Sequence, residues 1–148
     1  HVERGGYAMG ICNGFQVLVE TGLLPGALVR NARLKFICKP VGLTVETSAS
    51  DFTSGYAKGQ TVTYPVAHHD GNYIADPETL KELNAADRVA FRYVEDVNGS
   101  SEKIAGILSE NRRVLGLMPH PERAADLALG GADGAELFRS LAIGAVAA

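Results

Sequence analysis

Tryptophan is absent, and cysteine occurs only twice in 148 residues, at Cys12 and Cys38. Two thiols in a chain this long do not build a disulfide framework, and neither belongs to a C-x-x-C pair of the kind used for zinc or redox work. A reducing cytoplasm is the expected setting. Excess charge of one sign is lacking too. The 14 basic and 17 acidic side chains leave a net charge of -3 with the signs mixed along the chain, which argues against a nucleic-acid or membrane-surface footprint. No apolar run approaches the roughly 20 residues that cross a bilayer, and no cleavable apolar segment opens the chain. Low-complexity tracts and long internal repeats are missing, so a solenoid or propeller is not expected. What is present is a 46% apolar sequence of the size of one compact domain, read here as residues 1–148.

The opening His1 to Gly6 reads as the last turn of a helix with its glycine cap, so the sequence is expected to start inside a domain. Tyr7 to Ile11 is a short apolar run leading into Cys12-Asn13-Gly14. Phe15, Leu18, Val19 and Leu23 then recur at helical spacing until Gly22 and Pro25 break it. The pattern predicts strand, sharp turn, helix. From Leu34 to Val45 apolar residues alternate and change phase across Pro40 and Gly42, which predicts a long strand bulged or broken in its middle. Thr61 to Val66 is a further strand, followed by a polar turn from His68 to Asn72. Asp76-Pro77-Glu78 supplies a cap, a first-turn proline and an acidic first turn for a helix through Leu83. Strands follow at Val89 to Val94, Ile104 to Leu108 and Val114 to Met118, with a hairpin turn at Asn111-Arg112. Asp133 can cap a closing amphipathic helix that carries Leu137, Phe138 and Leu141 on one face. The sum is an α/β sheet protein with a hairpin-rich second half.

Gly10-Ile11-Cys12-Asn13-Gly14, between a predicted strand and a predicted helix, has the G-x-nucleophile-x-G form of a nucleophile elbow. The glycines let the backbone turn tightly enough to present the middle side chain. A thiol there lies at a helix N-terminus, where unpaired N–H groups favour thiolate, and the Asn13 amide becomes an oxyanion donor. The competing reading is an ordinary core cysteine. That reading suits Cys38, which is in phase with Leu34 and Phe36 on a strand and is expected to be structural.

The second group is Met118-Pro119-His120-Pro121-Glu122. Each proline pushes the residue before it toward extended geometry. Residues two apart on an extended segment share a side. His120 and Glu122 should then point together, as a base and its orienting carboxylate must. His68 and His69, being adjacent, face opposite ways and do not suit a shared metal. Their turn, with Gly71, could border a substrate pocket. Gly130 to Gly134 lacks the lysine of a phosphate loop and reads as a loop before a helix cap.

Together these residues resemble the class I, triad-type glutamine amidotransferases, whose elbow reads G-x-C-x-G and whose late pair reads H-P-E. Gly22 to Leu28, Pro65-Val66-Ala67-His68, Ile104 to Ile107 and Gly116 to Arg123 are similar, within that family, to the small glutaminase subunits of phosphoribosylformylglycinamidine synthases of purine biosynthesis. The resemblance covers essentially the whole sequence. It implies a three-layer, flavodoxin-like open sheet, mostly parallel and flanked by helices. It implies a cysteine attack on the side-chain amide of L-glutamine, a γ-glutamyl thioester, release of ammonia and hydrolysis to glutamate. Cys12 is then the nucleophile, His120 the general base and acid, and Glu122 its orienter, with Asn13 giving an oxyanion amide and Gln16, His68 and Gly71 facing substrate. No cofactor is implied for this subunit. ATP and Mg belong to a large synthetase partner, with a small bridging subunit beside it.

The sequence also departs from that pattern. Family members carry a βαβ portion ahead of the point where this sequence begins, with a Gly-Gly loop that supplies a second oxyanion amide. The stretch Tyr93 to Ser101 is shorter than the family's loop, and His69 stands where glycine is common. Two alternatives stay open at this point: a non-catalytic docking subunit, and another cysteine hydrolase of the same fold such as a γ-glutamyl hydrolase.

Overall fold

In the computed structural model, which describes residues 1–147, the elements run β1 (Ala8–Ile11), α1 (Asn13–Glu20), β2 (Ala27–Val29), β3 (Ile37–Val45), β4 (Thr61–His68), β5 (Asn72–Ile74), α2 (Pro77–Ala85), β6 (Val89–Tyr93), β7 (Ile104–Leu108), β8 (Val114–Leu117) and α3 (Ala135–Ala147). Six strands form one sheet in the order β1-β8-β7-β6-β3-β4. The sheet is mixed. β1 and β8 pair in parallel, whereas β8-β7, β7-β6, β6-β3 and β3-β4 are antiparallel. Among the described residues the expected parallel character is thus confined to one ladder, and the hairpin-rich second half dominates.

The central strands explain their own composition. Every residue of β7 and β8 is buried, because the sheet is covered on both faces and so has no solvent side on which to alternate. Ile104 and Ile107 pack with Phe15 and Leu18 of α1 and Leu83 of α2, while Ala105, Leu108, Leu115 and Leu117 pack with Phe52, Phe91 and Leu137 of α3. β4, which ends the sheet, alternates between exposed and buried from Thr61 to Tyr64. Asp76 caps α2 as expected, accepting from the amides of Glu78 and Thr79, and the Arg112 turn joins β7 to β8 with φ of 57°.

Four expectations change. The strand predicted from Leu34 begins at Ile37. The Leu34 amide bonds back to the Asn31 carbonyl at 2.8 Å, closing a turn, and Leu34 and Phe36 are 68% and 62% exposed. Cys38 is in the strand but on its solvent side and exposed, so it is not a core thiol. The bulge at Pro40 is absent. β3 pairs without interruption from Ile37↔His68 to Thr44↔Thr61, with Pro40 opposite Pro65, a rung where neither missing N–H is needed. Finally, Asp133 directs its carboxylate to the Thr63 amide at 2.8 Å, tying the approach to α3 to β4. The small antiparallel ribbon of β2 and β5 was not anticipated, since Asn72 reads as turn in the sequence.

Two glycines set the approach of α1. A Cβ at Gly10 would lie inside the Gly14 backbone, and one at Gly116 would lie inside the Phe15 ring. The sheet also curls. Although β4 and β8 are far apart in strand order, the His120 amide just beyond β8 donates to the Pro65 carbonyl of β4 at 2.8 Å. This brings the two ends of the sheet together around one cleft. No helix among the described residues is long and apolar enough to cross a membrane.

Candidate active site

Cys12 sits between the end of β1 and the start of α1 with φ of 54° and ψ of -109°. A non-glycine residue in that region is strained, and such strain is characteristic of a side chain held out at an elbow. The turn is fixed from both sides. The Cys12 amide donates to the Leu117 carbonyl at 2.9 Å, and its carbonyl accepts from Phe15 at 3.0 Å. The thiol is half-buried and lies 3.8 Å from the Ala67 carbonyl and 3.9 Å from Asn13 Oδ1. Burial pushes the thiol above its ordinary range. The Asn13 backbone N–H and the Arg123 guanidinium act in the opposite direction, and Glu122 adds to the rise. Burial thus works against the thiolate that the helix terminus favours.

A base lines the same cleft. His120 is 7% exposed, and its Nδ1 lies 2.6 Å from Glu122 Oε1. The two side chains do converge, although Glu122 achieves this from a 3-10 turn over Pro121–Ala124 and not from the extended segment that the prolines predict. His120 Nε2 is buried with no hydrogen-bond partner among the described residues. With Nδ1 engaged by a carboxylate, Nε2 is the nitrogen free to take a proton. The thiol lies against the Ala67 carbonyl and makes no hydrogen bond to the His120 ring in this state.

The cleft has a volume of about 470 Å³, and its lining includes Cys12, Asn13, Gln16, His68, Arg123 and the exposed Phe36. Gln16 also donates to Glu20 at 2.8 Å. His68, at 4% exposure, ends β4, while the more exposed His69 pairs with Asp70 at 3.5 Å. Both histidines line the cleft. Gly71 does not reach the cleft. Its amide is taken by Asn31 Oδ1 at 3.1 Å, and a Cβ there would strike the His68 ring, so it supports His68 and contributes no contact of its own. Among the described residues no group of three or more His, Cys, Asp or Glu side chains is placed to hold a metal ion.

Sequence reasoning missed Arg123, Phe36 and Asn31. Arg123 follows directly on the H-P-E residues, and its charge was the available signal. Asn31 carried none.

Comparison with known proteins gives a consistent picture. The profile of the CobB/CobQ-like glutamine amidotransferase domain matches residues 1–130. The chain is 70% identical over 141 residues to the phosphoribosylformylglycinamidine synthase subunit PurQ of Cereibacter sphaeroides, covering 95% of this chain and 64% of that protein. It is 68% identical over 148 residues to the subunit of the same name from Roseobacter denitrificans, covering 100% and 66%. The chain thus spans just under two thirds of the length of these curated relatives. Among solved structures, that of PurLQS from Thermotoga maritima superposes with a TM-score of 0.86 at 49% identity, over 95% of this chain and 62% of that one. The chain belongs to the CobB/CobQ-like glutamine amidotransferase family.

Proposed function

We propose that this chain carries the glutamine-hydrolysing centre of a phosphoribosylformylglycinamidine synthase, releasing ammonia for purine biosynthesis. The observation that carries the reading is the strained Cys12 elbow opening on the same cleft as the His120–Glu122 pair. The names of the relatives from Cereibacter sphaeroides and Roseobacter denitrificans agree with it.

The reaction uses these groups in order. His120 Nε2 takes the thiol proton, and the sulfur attacks the carbonyl carbon of the glutamine side-chain amide. Glu122 holds the ring in position and stabilises it once it is charged. The Asn13 amide meets the oxyanion that develops. The C–N bond then breaks, His120 returns its proton to the leaving nitrogen, and ammonia departs from a γ-glutamyl thioester. Water, deprotonated by the same imidazole, hydrolyses the thioester to glutamate and restores the thiol. Arg123 favours the thiolate through its charge. Gln16 and His68 contact the substrate from the walls of the cleft.

The chemistry requires no cofactor in this subunit. ATP and Mg are used by a large synthetase subunit that consumes the ammonia, with a small bridging subunit completing the assembly in the cytoplasm. The test is glutamine hydrolysis by the intact protein and by Cys12→Ser. The expected loss is at least about a thousandfold with the fold retained, since the nucleophile cannot be replaced by binding alone. A glutamine-like electrophile should label Cys12 and spare the exposed Cys38. Wild-type turnover in Cys12→Ser, or adduct on Cys38 alone, would refute the proposal.

A further inference from the structure

Asn31, in the segment between β2 and β3, is fully buried. Its side-chain nitrogen donates to the carbonyls of Lys35 at 2.8 Å and His68 at 2.9 Å. Its Oδ1 accepts from the Gly71 amide at 3.1 Å. These three backbone groups decide which end of the amide is oxygen, because a flip would set oxygen against two carbonyls and NH₂ against an N–H. The same Oδ1 lies 3.1 Å from His68 Nδ1. An oxygen can only accept, so the ring proton must reside on Nδ1. In a neutral imidazole that leaves Nε2 bare.

The ring is neutral at ordinary pH. Burial, followed by the neighbouring His120, lowers the His68 pKa to about 4, and the Asp70 carboxylate offsets this only in part. Nε2 is buried and has no donor among the described residues, a costly condition that a ligand donor relieves. His68 lines the cleft that holds Cys12. Every N–H or O–H donor of glutamine at neutral pH is on nitrogen, in the α-ammonium or the side-chain amide. Its oxygens offer only acceptors, which a bare Nε2 repels.

We propose that Asn31 is a positioning residue that locks His68 in the Nδ1–H tautomer, so that Nε2 accepts a hydrogen bond from a nitrogen of the bound substrate. The identity of the substrate rests on the glutaminase reading above, whereas the tautomer does not. Long-range ¹H–¹⁵N correlation spectra of the histidine-labelled intact protein, with His68 assigned through His68→Gln, test the tautomer directly. The expected pattern is a protonated Nδ1 and a bare Nε2 at neutral pH. The opposite tautomer, or an imidazolium at pH 7, would overturn the proposal even if glutaminase activity is present. Absence of activity in the wild type would instead count against the glutaminase reading and leave the tautomer result standing.

Kinetics test the second half. Asn31→Ala should lower kcat/KM for glutamine on the order of ten- to a hundredfold. If the same penalty appears with glutaramate, which lacks the α-ammonium, the side-chain amide is the donor. If the penalty disappears, the ammonium is. No penalty with glutamine would sink the idea. The tautomer in Asn31→Ala supplies a readout that a purely structural role would not move: with no acceptor at Nδ1, the long-range spectra should show the ring proton shifted at least in part to Nε2, and an unchanged Nδ1–H pattern would contradict the mechanism.

Discussion

Glu122 is the residue on which the orientation of the base depends. It is more exposed than His120, with 42% of its side chain open against 8%, and it is also 3.6 Å from Arg123. Its contribution to the imidazole is therefore a short hydrogen bond more than a strong buried charge. Glu122→Gln keeps the size but replaces an acceptor-only group with an amide that can turn its NH₂ toward Nδ1. Glutamine hydrolysis should fall on the order of a hundredfold or more in kcat, measured as ammonia release at saturating glutamine. Retention of wild-type kcat would mean that the ring is held by its surroundings alone. Cys12 and the converging His120–Glu122 pair were legible in the sequence, because an elbow between strand and helix and two flanking prolines are local signals. The upward push on the thiol was not, since the burial that causes it exists only in the assembled cleft.

Among the elements, α1 and β8 are tied together through Phe15 and Gly116. The Phe15 ring is fully buried and stacks on Tyr73 with centroids 5.7 Å apart, which leaves it little freedom to retreat. Gly116→Ala should destabilise the fold by about 1–3 kcal/mol through overpacking, read from the midpoint of urea unfolding with unchanged slope. A midpoint equal to the wild type would show that α1 can shift outward at no cost. Most strands and both longer helices could be read from periodicity, and their ends moved by one or two residues. Leu34 and Phe36 misled because their alternation matches a strand while both face solvent. The turn that removes them from β3 depends on Asn31 reaching the carbonyl of His68, 37 residues on, and no local pattern contains such a contact. The β2–β5 ribbon, at three residues a strand, is too short to carry a period.

For the molecule as a whole, acidity should be a specific weakness. His68 has its folded pKa lowered from 6.5 to about 4, so the unfolded chain binds the extra proton first. The sign follows: its contribution to stability is complete above pH 6.5 and declines as the pH falls toward about 4, by at most about 1.4 kcal/mol per pH unit. Urea midpoints measured from pH 7 to pH 4 should decrease, and His68→Gln should flatten the slope. An equally steep decline in that variant would assign the effect to other groups.

The curl that carries the His120 amide to the carbonyl of Pro65 has a consequence for how activity is lost. Nucleophile and base follow neighbouring strands, β1 and β8, whereas the cleft wall carrying Ala67 and His68 belongs to β4 at the far margin, so the closed cleft exists only when all the strands between keep their curvature. Mild denaturant that flattens this arc should draw the β4 wall with His68 away from Cys12 and His120 before helices or strands melt, so turnover should vanish at lower urea than far-ultraviolet circular dichroism. Pressure applied at the β4 margin would then adjust catalysis from a distance, through shape alone.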